Sequence, residues 1–280
     1  MKIAVFGGDK RMLFAANAFA KDGHEVLLTG FDDLISLCDI RVCTVEEAAD
    51  ECDVAVLPVR PVRDGHWNAP FAAHPIPIGA LMERIGEKPV FSGCSRMIRP
   101  YAAAGKVFDY ADDEEFTLRN AELTAEGAVE LILRDYEGAV CGTKMLVTGY
   151  GRIGKVLSRY LHAMGAKVTV AARDPSDRDM IGQNGMIAAD YPQIDFEACR
   201  VIVNTVPAMV IDKGAVDRLR EDVFLIDLAS VPGGVDLSAA RDRDLTCIHA
   251  LSLPGKTAPL TAGVIIKDTI MNILNREQTL

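Results

Sequence analysis

Short apolar runs alternate with stretches of helical periodicity along the first half of this chain. Residues 3–6 form an apolar run, the pair Gly7-Gly8 follows it, and residues 12–20 carry apolar side chains at helical spacing. Further strands are predicted at residues 25–28, 53–57, 90–92 and 107–110. Strands that alternate with helices in this way predict a parallel doubly wound sheet.

The second half contains a glycine-rich turn between a predicted strand and a predicted helix. The apolar run 144–148 leads into residues 149–154 (GYGRIG), and a helical pattern over 153–164 ends at Gly165. Such a turn brings backbone N–H groups and the positive end of a helix dipole to one point, which predicts a pyrophosphate site. A plain tight turn is the alternative. The predicted cofactor contacts are Gly149, Tyr150, Gly151, Arg152, Ile153, Gly154, Arg173, Thr205, Val206 and Pro207.

The next predicted strand, 167–171, bears on the choice of dinucleotide. An NAD site usually has an acidic residue about 20 residues after the glycines, where it binds the ribose hydroxyl. Here the strand continues into Ala172 and Arg173, and a guanidinium binds a 2′-phosphate as an acid cannot. The sequence therefore favours NADP over NAD. Arg173 as a solvated loop residue, and a ribose contact from Asp174, are the alternatives.

These patterns together predict an α/β protein with two doubly wound, Rossmann-like domains and a cleft between them. Residues 1–120 form a substrate-side domain, and 121–139 a linking segment with a helix over 122–136. Residues 140–255 form the NADP-binding domain. The last segment, 256–280, holds a helix over 262–274 that can fold back onto the first domain.

Composition is that of an ordinary enzyme and excludes several partners. The formal charge of −10 and a pI near 5.0 argue against nucleic acid or an anionic membrane surface as partner. No apolar run approaches the ~20 residues of a membrane span, and no signal peptide precedes the first strand, so we expect a cytoplasmic protein. Seven cysteines without a CxxC pair indicate reduced thiols, and five scattered histidines predict no metal site.

Polar and glycine residues follow the predicted strands, where ligands bind in open α/β sheets. Several of these positions combine backbone donors with a basic side chain, which suits a small di- or tricarboxylic acid. Surface arginines and ordinary turns are the alternative. The predicted substrate contacts are Gly8, Asp9, Arg11, Arg60, Ser92, Gly93, Gly233 and Gly234.

The arrangement of two such domains resembles that of the D-2-hydroxyacid dehydrogenases, but the expected catalytic side chains are missing. Those enzymes have an arginine after the strand that corresponds to the one ending at Asp227 in this chain. They also have a histidine just after a proline near the end of the chain. Here the corresponding segments are 230–233 (SVPG) and 254–256 (PGK). Without an imidazole to move a proton onto a carbonyl, reduction of a 2-keto acid is disfavoured.

A closer resemblance runs in order along nearly the whole chain. Its motifs are Gly7-Gly8-Asp9-x-Arg11 and residues 120–127 (NAELTAEG), 149–154 (GYGRIG), 204–208 (NTVPA), 227–234 (DLASVPGG) and 253–263 (LPGKTAPLTAG). They are similar to those of the dipicolinate synthase A subunits of spore-forming bacteria. The resemblance implies NADP+-dependent oxidation of a dihydrodipicolinate-type compound to dipicolinate during spore formation. It also implies a flavoprotein-like partner subunit, and we expect a homo-oligomer.

That chemistry needs little acid–base help, because loss of hydride and proton yields an aromatic ring and the enzyme mainly orients the substrate. Three residues are predicted to act in catalysis: Lys256 as carboxylate clamp or proton relay, and Ser230 and Asn120 as hydrogen-bonding orienters. A turn residue, a helix cap and a solvated loop lysine are the alternatives for Ser230, Asn120 and Lys256. Two other functions stay open, an NADP-binding scaffold subunit with little activity alone and a dehydrogenase of another small carboxylic acid.

Overall fold

The computed structural model describes residues 1–32, 40–103 and 106–278, and its contacts divide the chain into two compact units. The first unit is Met1–Asn120 with Ala258–Leu280, and the second is Ala121–Thr257. Each contains a six-stranded sheet in which all strands are parallel, which confirms the predicted α/β, Rossmann-like class. Six cysteines of these ranges carry free thiols, and Cys38 lies outside the described residues. Within the same ranges, no helix is long and apolar enough to cross a membrane.

The first sheet has the strand order β3-β2-β1-β4-β7-β8. Its strands are β1 (Lys2–Phe6), β2 (Glu25–Thr29), β3 (Arg41–Val42), β4 (Val54–Val56), β7 (Val90–Ser92) and β8 (Val107–Asp109). A short antiparallel hairpin adds β5 (Val62–Arg63) and β6 (His66–Trp67). The helices of this unit are α1 (Lys10–Lys21), α2 (Val45–Glu51), α3 (Ile78–Ile85) and α10 (Pro259–Gln278). The central strand β1 is buried from Ile3 to Phe6, as a strand covered on both faces must be.

Helix α10 packs against α1 within the first unit. The close approach requires Gly263, because a Cβ there would lie 2.5 Å from the carbonyl oxygen of Arg11. Lys267 on α10 donates to Asp22 at 2.6 Å, just beyond the end of α1. The C-terminal residues are thus part of the fold that begins at residue 1.

The second sheet has the order β11-β10-β9-β12-β13-β14. Its strands are β9 (Lys144–Thr148), β10 (Lys167–Ala171), β11 (Ile187–Ala189), β12 (Val201–Asn204), β13 (Phe224–Asp227) and β14 (Thr246–His249). Its helices are α5 (Arg152–Ala163), α6 (Pro175–Gln183), α7 (Lys213–Val216), α8 (Leu237–Asp242) and α9 (Leu253–Thr257). The register pairs the last residues of neighbouring strands, so the carboxyl ends of β10, β9, β12, β13 and β14 lie in one row.

The helix α4 (Glu114–Asp135) begins eight residues before the predicted start of the linking helix at residue 122. The carboxylate of Asp113 accepts hydrogen bonds from the backbone N–H groups of Glu115 and Phe116, which fixes this start. Asn120 therefore lies inside the helix, and its interpretation as a helix cap is wrong.

The segment after β14 also differs from expectation, because Lys256 belongs to the short helix α9 rather than to a loop at the end of a strand. The hydroxyl of Thr257 donates to the carbonyl of Leu253 and closes this turn. Gly127 on α4 makes room for it, since a Cβ there would lie 2.8 Å from Leu253 and 3.0 Å from Thr257. A contact this distant along the chain leaves no periodic signal.

The cap at Asp113 should be visible in the pH dependence of stability. Its hydrogen bond to Arg276 on α10 lowers the pKa of the Asp113 carboxyl. Because the folded-state pKa is depressed, the stabilisation is present above the unfolded value near 4 and is lost as the pH falls through the folded value. We expect Asp113→Ala to cost about 1 kcal/mol at pH 7, with the deficit in the free energy of unfolding shrinking towards pH 3. Thermal and denaturant unfolding at both pH values measures this, and a deficit that is equal at both would contradict it.

Candidate functional site: a dinucleotide cleft in the second unit

The order of the second sheet reverses between β9 and β12, and ligands of open α/β sheets bind at such a switch point. The glycine-rich turn leaves β9 at this point and enters α5. The predicted strand, turn and helix are therefore present in the order that the pyrophosphate site requires.

The three glycines of the turn have different surroundings. Gly149 has a φ of +92°, and a Cβ there would lie 2.6 Å from the hydroxyl of Thr205. A Cβ at Gly154 would lie 2.2 Å from the carbonyl oxygen of Gly149, so this glycine allows α5 to pack closely on the turn. A Cβ at Gly151 would meet nothing within 4 Å. The middle glycine thus faces open space, where a pyrophosphate approaches the backbone in this motif.

The N-terminus of α5 is open to an anion. Gly151 occupies the cap position and provides no side-chain hydrogen bond to the first turn. The N–H groups and the helix dipole there are available to a phosphate, which fits a dinucleotide. In this first turn the side chain of Arg152 is exposed, whereas Ile153 packs against the hydrophobic core.

A cleft of about 330 Å³ adjoins the turn. It gathers the predicted cofactor residues except Arg152, Ile153 and Gly154. It also includes Ala172 and Asp174 of the turn that bears on the dinucleotide, and adds Asp177 and Tyr191, which the sequence patterns did not indicate. Its lining consists of Gly149, Tyr150, Gly151, Ala172, Arg173, Asp174, Asp177, Tyr191, Thr205, Val206 and Pro207. The hydroxyl of Thr205 donates to the carbonyl of Thr148 at 2.8 Å and so anchors this segment to the end of β9.

The turn after β10 presents a guanidinium to this cleft. Arg173 is exposed, and its side chain makes no hydrogen bond within the described ranges. Asp174, by contrast, caps α6 through the backbone N–H and hydroxyl of Ser176, at 2.8 and 2.9 Å, which lowers the pKa of its carboxyl. Arg178 donates to the carbonyls of Ala172 and Arg173 at 2.8 and 2.7 Å and holds the turn in shape. No pattern in adjacent residues indicates that role for Arg178.

The first sheet has the same strand order as the second, but its corresponding crevice is filled by the hairpin. Trp67 packs against Gly7 and Gly30, and its indole N–H donates to the carbonyl of Phe6 at 3.0 Å. The N–H of Gly8 donates to the carbonyl of Asn68 at 2.9 Å. The backbone donor that would bind a phosphate is therefore already used, and this turn does not offer a second dinucleotide site.

Most of the predicted substrate residues in the first unit are engaged within the protein. Asp9 caps α1 and pairs with the guanidinium of Arg11, with an Nη2–Oδ2 distance of 2.7 Å. The buried hydroxyl of Ser92 donates to the carbonyl of Pro58, and a Cβ at Gly93 would lie 2.6 Å from Val59. Of the predicted side chains, that of Arg60 is exposed and has no partner among the residues described.

The glycines of the loop after β13 are likewise used to shape it. The N–H of Gly234 donates to the carboxylate of Asp227 at 2.9 Å, and that of Gly233 donates to the carbonyl of Ser230 at 2.8 Å. Both amides are therefore engaged in hydrogen bonds within the protein. Ser230 itself lies in the same loop with its side chain exposed.

Lys256 lines a cavity of about 470 Å³ that is separate from the lining of the dinucleotide cleft. The cavity lies beside the edge strand β14 and is lined by Glu130, Leu131, Arg134, Ile248, His249, Ala250, Leu253, Lys256 and Thr257. Lys256 is exposed, and its ammonium has no partner in the described part of the chain. His249, which the sequence patterns did not single out, donates from Nε2 to the carbonyl of Ala229 at 3.0 Å.

Comparison with known proteins agrees with the motifs. Residues 2–105 match the model of the N-terminal domain of the dipicolinate synthase A subunits. The chain is also 27% identical to the dipicolinate synthase A subunit of Bacillus subtilis, over 98% of this chain and 96% of that one. The chain is a relative of the dipicolinate synthase A subunits. This confirms the resemblance found in the sequence.

Solved structures give the same relationship. The dipicolinate synthase A subunit of Bacillus halodurans superposes with a TM-score of 0.87 at 25% identity, covering 98% of this chain and 97% of the other. The corresponding protein of Bacillus subtilis gives a TM-score of 0.85 at 26% identity, covering 100% and 97%. Residues 125–231 match the NAD-binding domain of the D-isomer-specific 2-hydroxyacid dehydrogenases. The second unit is therefore a dehydrogenase-type dinucleotide-binding domain, and a nicotinamide cofactor is supported.

Proposed function

We propose that this chain is the A subunit of a dipicolinate synthase and oxidises a dihydrodipicolinate-type substrate to dipicolinate with NADP+. The observation that carries the proposal is the open dinucleotide cleft in a chain similar to these subunits over 98% of its length. The bound nicotinamide would accept a hydride from a ring carbon of the substrate, and a proton leaves the ring in the same conversion. Aromatisation of the product favours both losses.

This chain's residues would then bind and orient rather than supply a strong acid–base pair. The turn Gly149–Gly154 and the N-terminus of α5 bind the pyrophosphate, and the segment Thr205–Pro207 lies along the rest of the cleft. The substrate's two carboxylates require cationic partners. Lys256, which follows strand β14 in the second unit, is an exposed cation of this kind.

Three features of the turn after β10 support NADP rather than NAD. Ala172 replaces the acidic residue that would repel a 2′-phosphate, and the side chain of Arg173 is not engaged elsewhere among the described residues. Asp174 is held by Ser176 at the cap of α6. The carboxylate of Asp174 is thereby directed to a backbone N–H instead of a ribose hydroxyl.

The proposed function is tested by following NADPH formation from freshly generated dihydrodipicolinate with the isolated chain. We expect NADPH to form, and dipicolinate to accumulate in equal amount. Parallel assays include a flavoprotein-like partner protein, and turnover only in its presence would instead identify an NADP-binding scaffold subunit. Turnover of a simple 2-hydroxy acid but not of dihydrodipicolinate would contradict the proposed substrate.

Lys256 gives a narrower prediction. Because it lies beside β14 and outside the lining of the dinucleotide cleft, we expect it to bind a substrate carboxylate equally in the ground and transition states. Lys256→Ala should then raise KM for the substrate about tenfold and change kcat less than about twofold. Steady-state kinetics measures both constants.

The control for that variant is Lys213→Ala, which removes an exposed lysine of α7 that is paired with Asp217. A fall in kcat of about 10²-fold in Lys256→Ala would instead identify a proton relay. Unchanged constants would show that Lys256 is a solvated surface residue.

A further inference from the structure

A buried hydrogen-bond chain joins the last residues of neighbouring strands in the second sheet. Thr148 ends β9, Asn204 ends β12 and Asp227 ends β13, and the register pairs each with the next. All three are fully buried. The hydroxyl of Thr148 donates to Oδ1 of Asn204 at 2.7 Å, and Nδ2 of Asn204 donates to Oδ1 of Asp227 at 2.7 Å.

The Oδ1 and Nδ2 atoms of Asn204 each make two hydrogen bonds. In addition to those two bonds, its Oδ1 accepts from the backbone N–H of Val206 at 3.1 Å, and its Nδ2 donates to the carbonyl of Val206 at 3.0 Å. The side chain therefore clamps Val206 at both backbone polar atoms. Val206 and its neighbours Thr205 and Pro207 line the dinucleotide cleft, so the clamp fixes one wall of that cleft.

Asp227 is a buried carboxylate whose partners in the described part of the chain are all neutral N–H donors. Oδ1 accepts from Asn204 and from the N–H of Ala229 at 3.0 Å, and Oδ2 accepts from the N–H of Gly234 at 2.9 Å. One carboxylate thus holds both ends of the loop 229–234. Burying a carboxylate costs desolvation free energy. That cost is large for a group whose role would be only to shape a surface turn.

The loop is held from a third side by His249, the last residue of β14, through its bond to the carbonyl of Ala229. Ala229 is therefore fixed at both its N–H and its carbonyl. Gly233 and Gly234 complete the fit, because a Cβ at either would lie within 2.6 Å of Asp227 or Asn204. Ser230, by contrast, has an exposed side chain on this hydrogen-bonded loop.

We propose that Asn204 and Asp227 are positioning residues, which hold the cleft wall at Val206 and the loop 229–234 in one fixed geometry for hydride transfer. The inference rests on the proposed oxidoreductase function and names the residues that make its site rigid. Neither side chain reaches the cleft surface, so both act through the backbone that they bind. Misplacement of reacting groups by about 1 Å from such a distant change can cost about 10²-fold in rate.

The test compares Asp227→Asn with the wild type in NADP+ affinity and in turnover. The substitution keeps the shape but places an amide donor against one of three N–H donors. We expect kcat to fall about 10²-fold, while the Kd for NADP+ changes less than about threefold, because the proposed phosphate contacts are made by residues 149–154 and 173 rather than by Asp227. Hydrogen exchange at the amides of Ala229 and Gly234 should become faster, and exchange within β9 should not.

Asn204→Asp places two carboxylates together and should lower kcat by a similar factor. The reciprocal double variant Asn204→Asp/Asp227→Asn keeps one carboxylate and one amide in contact, so we expect it to recover at least about fivefold of the loss in a double-mutant cycle. Thr148→Val removes only the hydroxyl that donates to Asn204. Thr148→Val replaces Asn204→Asp in the test if the latter does not fold, and we expect it to lower kcat about tenfold.

Ser158→Ala is the matched control, since it removes a buried hydroxyl of α5 in the same unit that bonds to the carbonyl of Lys155. If Asp227→Asn, Asn204→Asp and Thr148→Val lower kcat no more than Ser158→Ala, the inference is overturned while the proposed function stands. If the wild-type chain binds neither NADP+ nor NAD+, the proposed function is wrong, and the inference that rests on it is wrong as well.

Discussion

Replacing Gly151 with valine is expected to abolish cofactor binding and to leave the fold intact. Gly151 has a φ of −77°, which any residue adopts, and a Cβ there meets nothing within 4 Å. The side chain would therefore begin in open space in front of the α5 N-terminus, where the pyrophosphate is expected. Loss of the charge-assisted bonds between backbone N–H groups and pyrophosphate should weaken NADP+ binding at least about 100-fold, since each is worth about 1.5–3 kcal/mol.

Gly154→Ala is the informative contrast in the same turn. A Cβ there would lie 2.2 Å from the carbonyl oxygen of Gly149, so this variant must push α5 away from the turn and lower the melting temperature. Calorimetric titration with NADP+ and thermal unfolding of both variants separate the two roles. Tight NADP+ binding by Gly151→Val would show that the pyrophosphate lies elsewhere.

The parts of the fold that the sequence predicts well are those with local signals. The run 144–148, the glycine turn and the helix behind it occupy the predicted positions to within about one residue, because buried strands, left-handed glycines and amphipathic helices each leave a pattern in adjacent residues. Between residues 30 and 90 such patterns are fewer, although the strand predicted at 53–57 is present as β4 (Val54–Val56). There the short strand β3 and the hairpin β5–β6 were not predicted.

The parts that escaped prediction depend on contacts between distant residues. Trp67 lies in a hairpin more than fifty residues from Phe6, yet its packing decides that the Gly7-Gly8 turn of the first unit holds no open phosphate site. Likewise, Asn204 and Asp227 are 23 residues apart and meet only because their strands pair in register. A glycine turn in a sequence predicts a backbone shape, and the neighbours of that turn decide what it binds.

The contrast between the two units has a physical explanation in their helix caps. The α1 helix of the first unit is capped by Asp9, whose negative charge satisfies the dipole, and by the pair that Asp9 forms with Arg11. The α5 helix of the second unit has Gly151 at the same position and no side-chain cap. The two sheets have the same strand order, yet the N-terminus of α1 is capped by a side chain and that of α5 is not. Only the uncapped N-terminus of α5 suits an anionic ligand.

Arg173→Ala is expected to weaken NADP(H) binding about 10- to 100-fold while changing NAD(H) binding little. The guanidinium is exposed at the cleft and unengaged within the described residues, so its full charge-assisted contact of about 1.5–3 kcal/mol is available to a 2′-phosphate. NAD(H) has no such phosphate and loses only stacking on the adenine. The loss should shrink at high salt, because the contact is exposed and therefore screened.

The dissociation constants of both cofactors, measured by nucleotide fluorescence at two salt concentrations, give the preference directly. Arg159→Ala, which removes an exposed arginine from the middle of α5, controls for a general change in positive charge near the cofactor domain. Since Arg178 holds the carbonyls of Ala172 and Arg173, Arg178→Ala should show a smaller loss in the same direction, because the turn loosens but the guanidinium remains. An equal loss for NADP(H) and NAD(H) in Arg173→Ala, or a wild type that prefers NAD(H), would overturn the assignment of NADP as the cofactor.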